Sequence, residues 1–511
     1  MGKIIEALVA ARLTKAAEDN GLLPEGQFGN RKGRSTEVAV RFLVTAVRTA
    51  WAWGGFASLL QLDLKGAFDT VHHMILLATL EKLGTPQGVL KWLRSYLQNR
   101  QAILSFDGET TPFTVPSGVP QGSPLSPILF ILFLTPLYEA LEPLAGKLTI
   151  GFADDTNFLA FAKDRETCIR ILEKAWEIAS QWALERGMQF GPSKSELIHF
   201  TRGRLCQAPI RLRPPQPPNS PQCEPVMLAP KKDARFLGIR IDSRLSFAAH
   251  VKAVKGKMET QMHALTRLAA STWGCDLIRA REVYVKVIRA AMAYGAGATH
   301  NPNHPKVARG LQASQNKGLR KVLGAYKATP TRNLELEAFC PPLDLYFNKR
   351  LADFEARLKA SGMGAKIERA CWKIKAQLRN RRGRSRVPKL PLFDYGAWAT
   401  TWAPEPPPPP PPPPGRKAKK PPKPSDLALA RDWKQRWEAH NPRGGPMGRA
   451  ADQALPKAFQ GSHLRLHEDL TKAQSSALIQ MRTGKIGLNA FLYYRKVPGF
   501  ETPSCICGSG L

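Results

Sequence analysis

Three acidic side chains are the first candidates for chemistry. Asp63 stands in QLDLKGAFDTV, Gln61 to Val71, and Asp154 and Asp155 stand together in GFADDTNF, Gly151 to Phe158. An acidic pair is ordinarily a solvated bend, but this one lies between LTIGF and TNFLAFA, apolar arms that can anchor a hairpin in a sheet. A fold that pairs the Asp63 strand with that hairpin brings three carboxylates together. Carboxylates so placed can hold two divalent cations, one activating a primer 3′-hydroxyl and one stabilising a triphosphate and its departing pyrophosphate. Hard oxygen ligands suit magnesium, for which histidine and cysteine would be poorer donors. Asp69 is left outside this set, as a residue that caps the following helix or organises its loop.

Between the acidic motifs lies PSGVPQGSPLSPILF, Pro116 to Phe130. Gly118 and Gly122 permit close backbone approach, and Pro120, Pro124 and Pro127 restrict the chain around a helix entrance. Gln121 offers a neutral donor and acceptor near an incoming nucleotide; a purely structural helix-entry turn is the competing reading. Phe68, five residues beyond Asp63, could pack on a sugar and leave little room for a ribose 2′-hydroxyl, although an aromatic after a strand is most often core.

The elements that must position these residues follow from periodicity. Leu59 to Leu64 is a short strand, His73 to Leu83 and Val89 to Leu97 are helices, and Ala102 to Val115 is a hairpin turning at Asp107-Gly108. Pro124 to Leu141 suggests a buried helix, residues 148 to 162 the acidic hairpin, and Arg165 to Arg186 a long amphipathic helix against a sheet. Pro209 to Pro225 reads as a surface excursion, and Arg235 to Phe247 returns to strand and turn. From Ala248 to about Tyr326, and again from Leu334 to Leu378, the pattern is mainly helical.

Lys and Arg number 75 against 41 Asp and Glu among 511 residues, a formal net charge of +34 that favours a polyanionic partner without identifying a reaction. A basic run, Arg379, Arg381, Arg382, Arg384, Arg386 and Lys389, precedes nine consecutive prolines, Pro406 to Pro414, and a second basic cluster. Polyproline forms an extended spacer, and its flanking charge can grip nucleic acid, address a protein to the nucleus or simply be solvated. The eight cysteines are too dispersed for a secreted scaffold. No apolar run approaches the roughly 20 residues of a membrane span. An intracellular protein with no membrane partner, expected in the nucleus, is the reading.

The order of these motifs resembles the reverse transcriptase region of fungal non-LTR, or LINE-like, retrotransposons. LLPEGQFGNRKGRSTEVAV, Leu22 to Val40, resembles the finger segment, and QLDLKGAFDTV, SGVPQGSPLSPILF and FADD resemble motifs A, B and C. GMQFGPSKSELIHF, Gly187 to Phe200, is similar to motif D and FLGIRID, Phe236 to Asp242, to motif E. The resemblance implies an α/β right-hand polymerase: partial fingers and palm over 1–245, a helical thumb over 246–330, a helical connector with the basic run over 331–400, a Pro-rich basic linker over 401–425 and a C-terminal region over 426–511. It implies an RNA-directed DNA polymerase that extends a DNA primer on an RNA template with dNTPs. Asp63, Asp154 and Asp155 would ligate two Mg2+, and Lys194 would lie by the triphosphate. Leu64, Phe68, Gln121, Gly122, Lys32 and Arg34 would border nucleotide or template.

The departures are specific. Finger sequence expected before Met1, an endonuclease and a ribonuclease H domain are not found, which suggests an element truncated at both ends and leaves its activity open. An endonuclease and an element-encoded RNA-binding protein would then be supplied separately. SCICGSGL resembles the start of a cysteine module, yet Cys505 and Cys507 alone do not complete a zinc site. The main competing reading is a catalytically inactive nucleic-acid-binding remnant. A maturase-like splicing protein fits the finger segment and FADD less well, and an RNA-dependent RNA polymerase is disfavoured by Phe68.

Overall fold

The computed structural model describes residues 2–215, 224–270, 272–379, 395–403, 421–439, 461–483, 485, 489–494, 496–499 and 501–504. The chain divides into two units, one of Met1–Ser246 with Leu358–Phe393 and one of Phe247–Arg357 with Asp394–Leu511. The stretch 331–400 is thus divided between them at Arg357.

The first unit is mixed α/β. In chain order it runs α1 (Gly2–Asp19), α2 (Thr36–Ala52), β1 (Phe56–Leu62), α3 (His73–Lys82), α4 (Gln87–Leu97), β2 (Gln101–Phe106), β3 (Glu109–Thr114), α5 (Ser126–Leu141), β4 (Lys147–Phe152) and β5 (Asp155–Ala162). It continues with α6 (Arg165–Glu185), β6 (Glu196–Phe200), β7 (Ile210–Leu212), β8 (Val226–Leu228), β9 (Asp233–Phe236) and β10 (Ile239–Asp242). The main sheet is open and antiparallel, in the order β4-β5-β1-β6.

Side-chain alternation gives this sheet two buried faces. Leu60, Leu62, Phe158 and Ala160 join a core with α5 and α6, while the intervening Leu59, Leu159 and Phe161 are also buried. Helix α2 packs on β1, β4 and β5, and the helix Met363–Leu378 packs on α2. Burial of each large apolar side chain contributes roughly 2 kcal/mol, so the sheet is held from both sides. At the start of α6 the Asp164 carboxylate accepts from the Thr167 N–H at 2.7 Å, an N-cap typically worth ~1 kcal/mol.

Two segments differ from expectation. The first strand begins at Phe56, because Phe56 to Ser58 pair with Ala162 to Ala160, and it ends at Leu62. Pro209–Pro225 is not wholly a surface excursion: Ile210 and Leu212 are fully buried where β7 pairs with β8 and contacts α6. The β2–β3 hairpin turns through Asp107 and Gly108 at φ 48° and 84°, both in the left-handed region that a type I′ turn requires.

The second unit is helical over most of its described residues. It includes Ala248–Thr266, Leu277–Val283 running into π-helical Tyr284–Arg289, Lys306–Leu323, Thr331–Glu337, Pro424–Ala439 and Lys472–Arg482. Tyr284, Leu311, Leu319 and Leu334 are fully buried within it. Among the described residues no helix is long and apolar enough to cross a membrane.

Candidate active site

The antiparallel register of β1 and β5 pairs Leu62 with Thr156, so the next residues outward, Asp63 and Asp155, leave the sheet at the same end. Asp154 joins them because β4 and β5 connect by a tight turn, with Phe152 opposite Asp155 and only Ala153 and Asp154 between. A second strap fixes the Asp63 side. Gly191 N–H donates to the Asp63 carbonyl and Lys65 N–H to that of Gln189, both at 3.0 Å, with Leu64 bridged to Phe190. The 3-10 turn Pro192–Lys194 then carries Lys194 back to Asp63, its Nζ 3.3 Å from Asp63 Oδ2.

Asp155 lies on the exposed turn, yet its carboxyl is pushed up to about 6, first by lost hydration and then by the carboxylates of Asp154 and Asp63. A divalent cation would relieve such crowding, and the donors are all hard oxygen, so the residues suit one in kind. Among the described residues no three His, Cys, Asp or Glu side chains stand in metal-holding geometry. Asp63 is engaged by Lys194.

The glycine-rich loop docks on the turn after Asp63. Val119 N–H donates to the Phe68 carbonyl and Gly118 N–H to that of Val71, each at 2.8 Å, and His73 Nε2 lies 2.8 Å from the Gly118 carbonyl. Gln121 Nε2 donates to both Asp69 oxygens at 3.0 and 3.2 Å. Asp69 is therefore the loop organiser; the cap position of α3 belongs to His72. Phe68 is half-buried, 4.7 Å from Phe130 between ring centroids, and Leu64 is buried. Gln121 and Gly122 are exposed, with Gly122 at φ 85°.

The finger-like segment divides in character. Lys32 is exposed. Arg34 Nη1 donates to the Glu25 and Gln27 carbonyls at 2.6 Å each, its guanidinium lies 5.6 Å from the Phe28 ring centroid, and burial pushes its pKa down to about 10. Sequence reasoning assigned no role to Gln27, a fully buried amide bonded to the backbone of Ala153. The available signal was its setting in Gly-Gln-Phe-Gly, since glycines around a polar residue mark close backbone approach. Arg381 to Lys389, the nine-proline run, Cys505 and Cys507 lie outside the described residues.

Residues 1–241 match the family model described as reverse transcriptase (RNA-dependent DNA polymerase). The probable RNA-directed DNA polymerase from transposon X-element of Drosophila melanogaster is 28% identical over 327 residues, covering 63% of this chain and 34% of that protein. Its counterpart from transposon BS is 28% identical over 333 residues, 63% of this chain and 35% of the relative. The type-2 element R2DM polyprotein of the same fly is 38% identical over 104 residues, 20% of this chain and 10% of that one. The chain thus spans about a third of the length of the first two relatives. Together these matches support a non-LTR retrotransposon reverse-transcriptase domain in the first part of the chain. The named relatives are from insects, which corrects the fungal assignment of the resemblance. Among solved structures, apo telomerase from Candida Tropicalis aligns at 12% identity with a TM-score of 0.35, over 73% of this chain and 61% of that one, too slight a likeness to inform the fold.

Proposed function

We propose that this chain is an RNA-directed DNA polymerase that extends a primer with dNTPs, in the manner of a non-LTR retrotransposon enzyme. The observation that carries the reading is the convergence of Asp63, Asp154 and Asp155 at one end of the sheet, with Lys194 paired to Asp63. Two magnesium ions held by these carboxylates would supply the activation of the primer 3′-hydroxyl and the neutralisation of the triphosphate. Lys194, on a turn of its own, would trade Asp63 for the phosphates and neutralise or protonate the departing pyrophosphate. Phe68, backed by Phe130, would meet the sugar and disfavour a 2′-hydroxyl. Leu64 would floor the nucleotide site, Gln121 and Gly122 would border nucleotide and template, and Lys32 and Arg34 would lie along the phosphates.

The net charge of +34 supports an RNA template and DNA primer as partners through phosphate contacts. Nuclear residence and an element-encoded RNA-binding protein belong to the same proposal. Primer extension on RNA and DNA templates, with magnesium and either dNTPs or rNTPs, tests it against a D154A/D155A variant. Template-dependent dNTP incorporation lost in the variant is the expected result. Primer–template binding without extension would overturn it in favour of an inactive nucleic-acid-binding remnant.

A further inference from the structure

The acidic turn is held from outside its own hairpin. Gly26 to Phe28 lies along β4: Gln27 bridges Gly151 in parallel, Gly151 N–H donates to the Gly26 carbonyl at 2.8 Å, and Phe28 N–H donates to the Gly151 carbonyl at 2.7 Å. From that position the Gln27 side chain reaches the residue between Phe152 and Asp154. Its Oε1 accepts from the Ala153 N–H at 3.0 Å and from the Gly29 N–H at 2.9 Å, while its Nε2 donates to the Ala153 carbonyl at 3.1 Å. Both ends of one amide are used, on one peptide unit and its neighbour.

Ala153 needs such a hold. Its φ of 55° is a left-handed conformation, ordinarily left to glycine and sustained at other residues only when the surroundings enforce it. The approach is too close for any side chain at Gly29, where a Cβ would stand 2.3 Å from Ala153 N. Fully buried Gln27 also brings no charge beside two carboxylates.

We propose that Gln27 is a positioning residue for the acidic turn, setting the Ala153 backbone and through it the direction in which Asp154 and Asp155 leave the sheet. The inference rests on the polymerase reading for its catalytic consequence, although not for the hold itself. A polar isostere and an apolar one separate the two. Gln27→Glu retains the acceptor for both N–H groups, loses the donor to the Ala153 carbonyl and adds a charge near the acidic turn, so its recovery is partial. Gln27→Met fills the same space and loses all three bonds.

The test combines hydrogen exchange at the Gly29 and Ala153 amides with steady-state primer extension, on the full chain of wild type and both variants. Expected in Gln27→Met is exchange about tenfold faster at Gly29 and Ala153, with protection of Leu59 and Leu159 in the central strands unchanged. In the same variant kcat falls on the order of 10- to 100-fold, with primer–template Kd and the KM for dNTP unchanged, and Gln27→Glu recovers part of the loss. Wild-type kcat in Gln27→Met would overturn the positioning role. If the wild type itself does not extend primers, the polymerase reading fails, and exchange alone decides: unchanged Ala153 protection in Gln27→Met overturns the hold, and selective loss of that protection sustains it. Should Gln27→Met not fold, the same two readouts in Gln27→Glu decide, since that variant must show intermediate exchange and intermediate kcat.

Discussion

The two units place their acidic side chains differently: among the described residues of the first no carboxylate is buried, although Arg31, Arg41 and His199 are. In the first, the charged groups at the sheet end, Asp154, Asp155 and Lys194, are exposed, and neutral amides such as Gln27 and Asn157 are buried among the strands. In the second, Glu335, Glu337, Arg289 and His467 are buried and serve the packing of helices. Gln312 donates to Glu335 at 3.0 Å, Arg482 to both oxygens of Glu337 at 3.0 Å, and Arg289 to the Pro341 carbonyl at 2.7 Å while its guanidinium lies 4.0 Å from the Tyr346 ring centroid. Burial pushes Glu335 up to about 7, further than the crowded Asp155 at about 6. A displaced pKa therefore does not mark a site by itself. What separates the two carboxyls is their company: Glu335 accepts from a neutral amide on a neighbouring helix and feels the Arg436 and Arg289 guanidiniums as well as the Asp344 carboxylate, whereas the charges acting on Asp155 are the carboxylates of Asp154 and Asp63.

Substitutions can break that contrast. The largest effect expected is loss of extension to background in D154A/D155A, with the thermal transition of the helical unit unchanged, because exposed carboxylates contribute chemistry without holding a core. Arg482→Ala should do the reverse. It leaves the buried Glu337 carboxylate without its partner and should destabilise the helical unit by ~3 kcal/mol, read as faster amide exchange along Lys306–Leu323. Glu335→Gln sharpens the comparison through pH. The folded pKa of Glu335 lies above its usual value of about 4.5, so the folded state holds the proton more tightly and stability falls as pH rises from about 4.5 to 7. The Gln variant should lack that decline, a difference on the order of 3 kcal/mol at pH 8 in matched urea titrations. Gln121→Met should be the mildest, since its bonds to Asp69 are exposed; stability should change by less than about 0.5 kcal/mol, while the KM for dNTP rises.

Local pattern made much of the first unit legible. The helix expected over Arg165 to Arg186 spans Arg165–Glu185, the one expected from His73 spans His73–Lys82, and the acidic hairpin turns where its apolar arms require. Misreadings arose where a distant partner decides. The start of β1 at Phe56 is set by pairing to Ala162 and its neighbours, and Ile210 and Leu212 are buried against α6 despite the prolines around them. Asp63 and Asp155 could be nominated from their strands, whereas the contact of Lys194 with Asp63 depends on the Gly191 strap. Gln27 was marked only by the glycines around it, because its three bonds are to backbone atoms, which carry no sequence signature at the other end.

Gln27 and Ala153 are 126 residues apart along the chain, and that separation bears on how the molecule is made. The β4–β5 turn is a local structure that can form in microseconds, but its final shape waits on closing a long loop, an entropic cost that grows only slowly with length yet delays the contact. During synthesis the Gly26–Gly29 segment emerges first and must stay available until its partner strand appears. The acidic turn should accordingly mature late in folding, after both strands around it are in place.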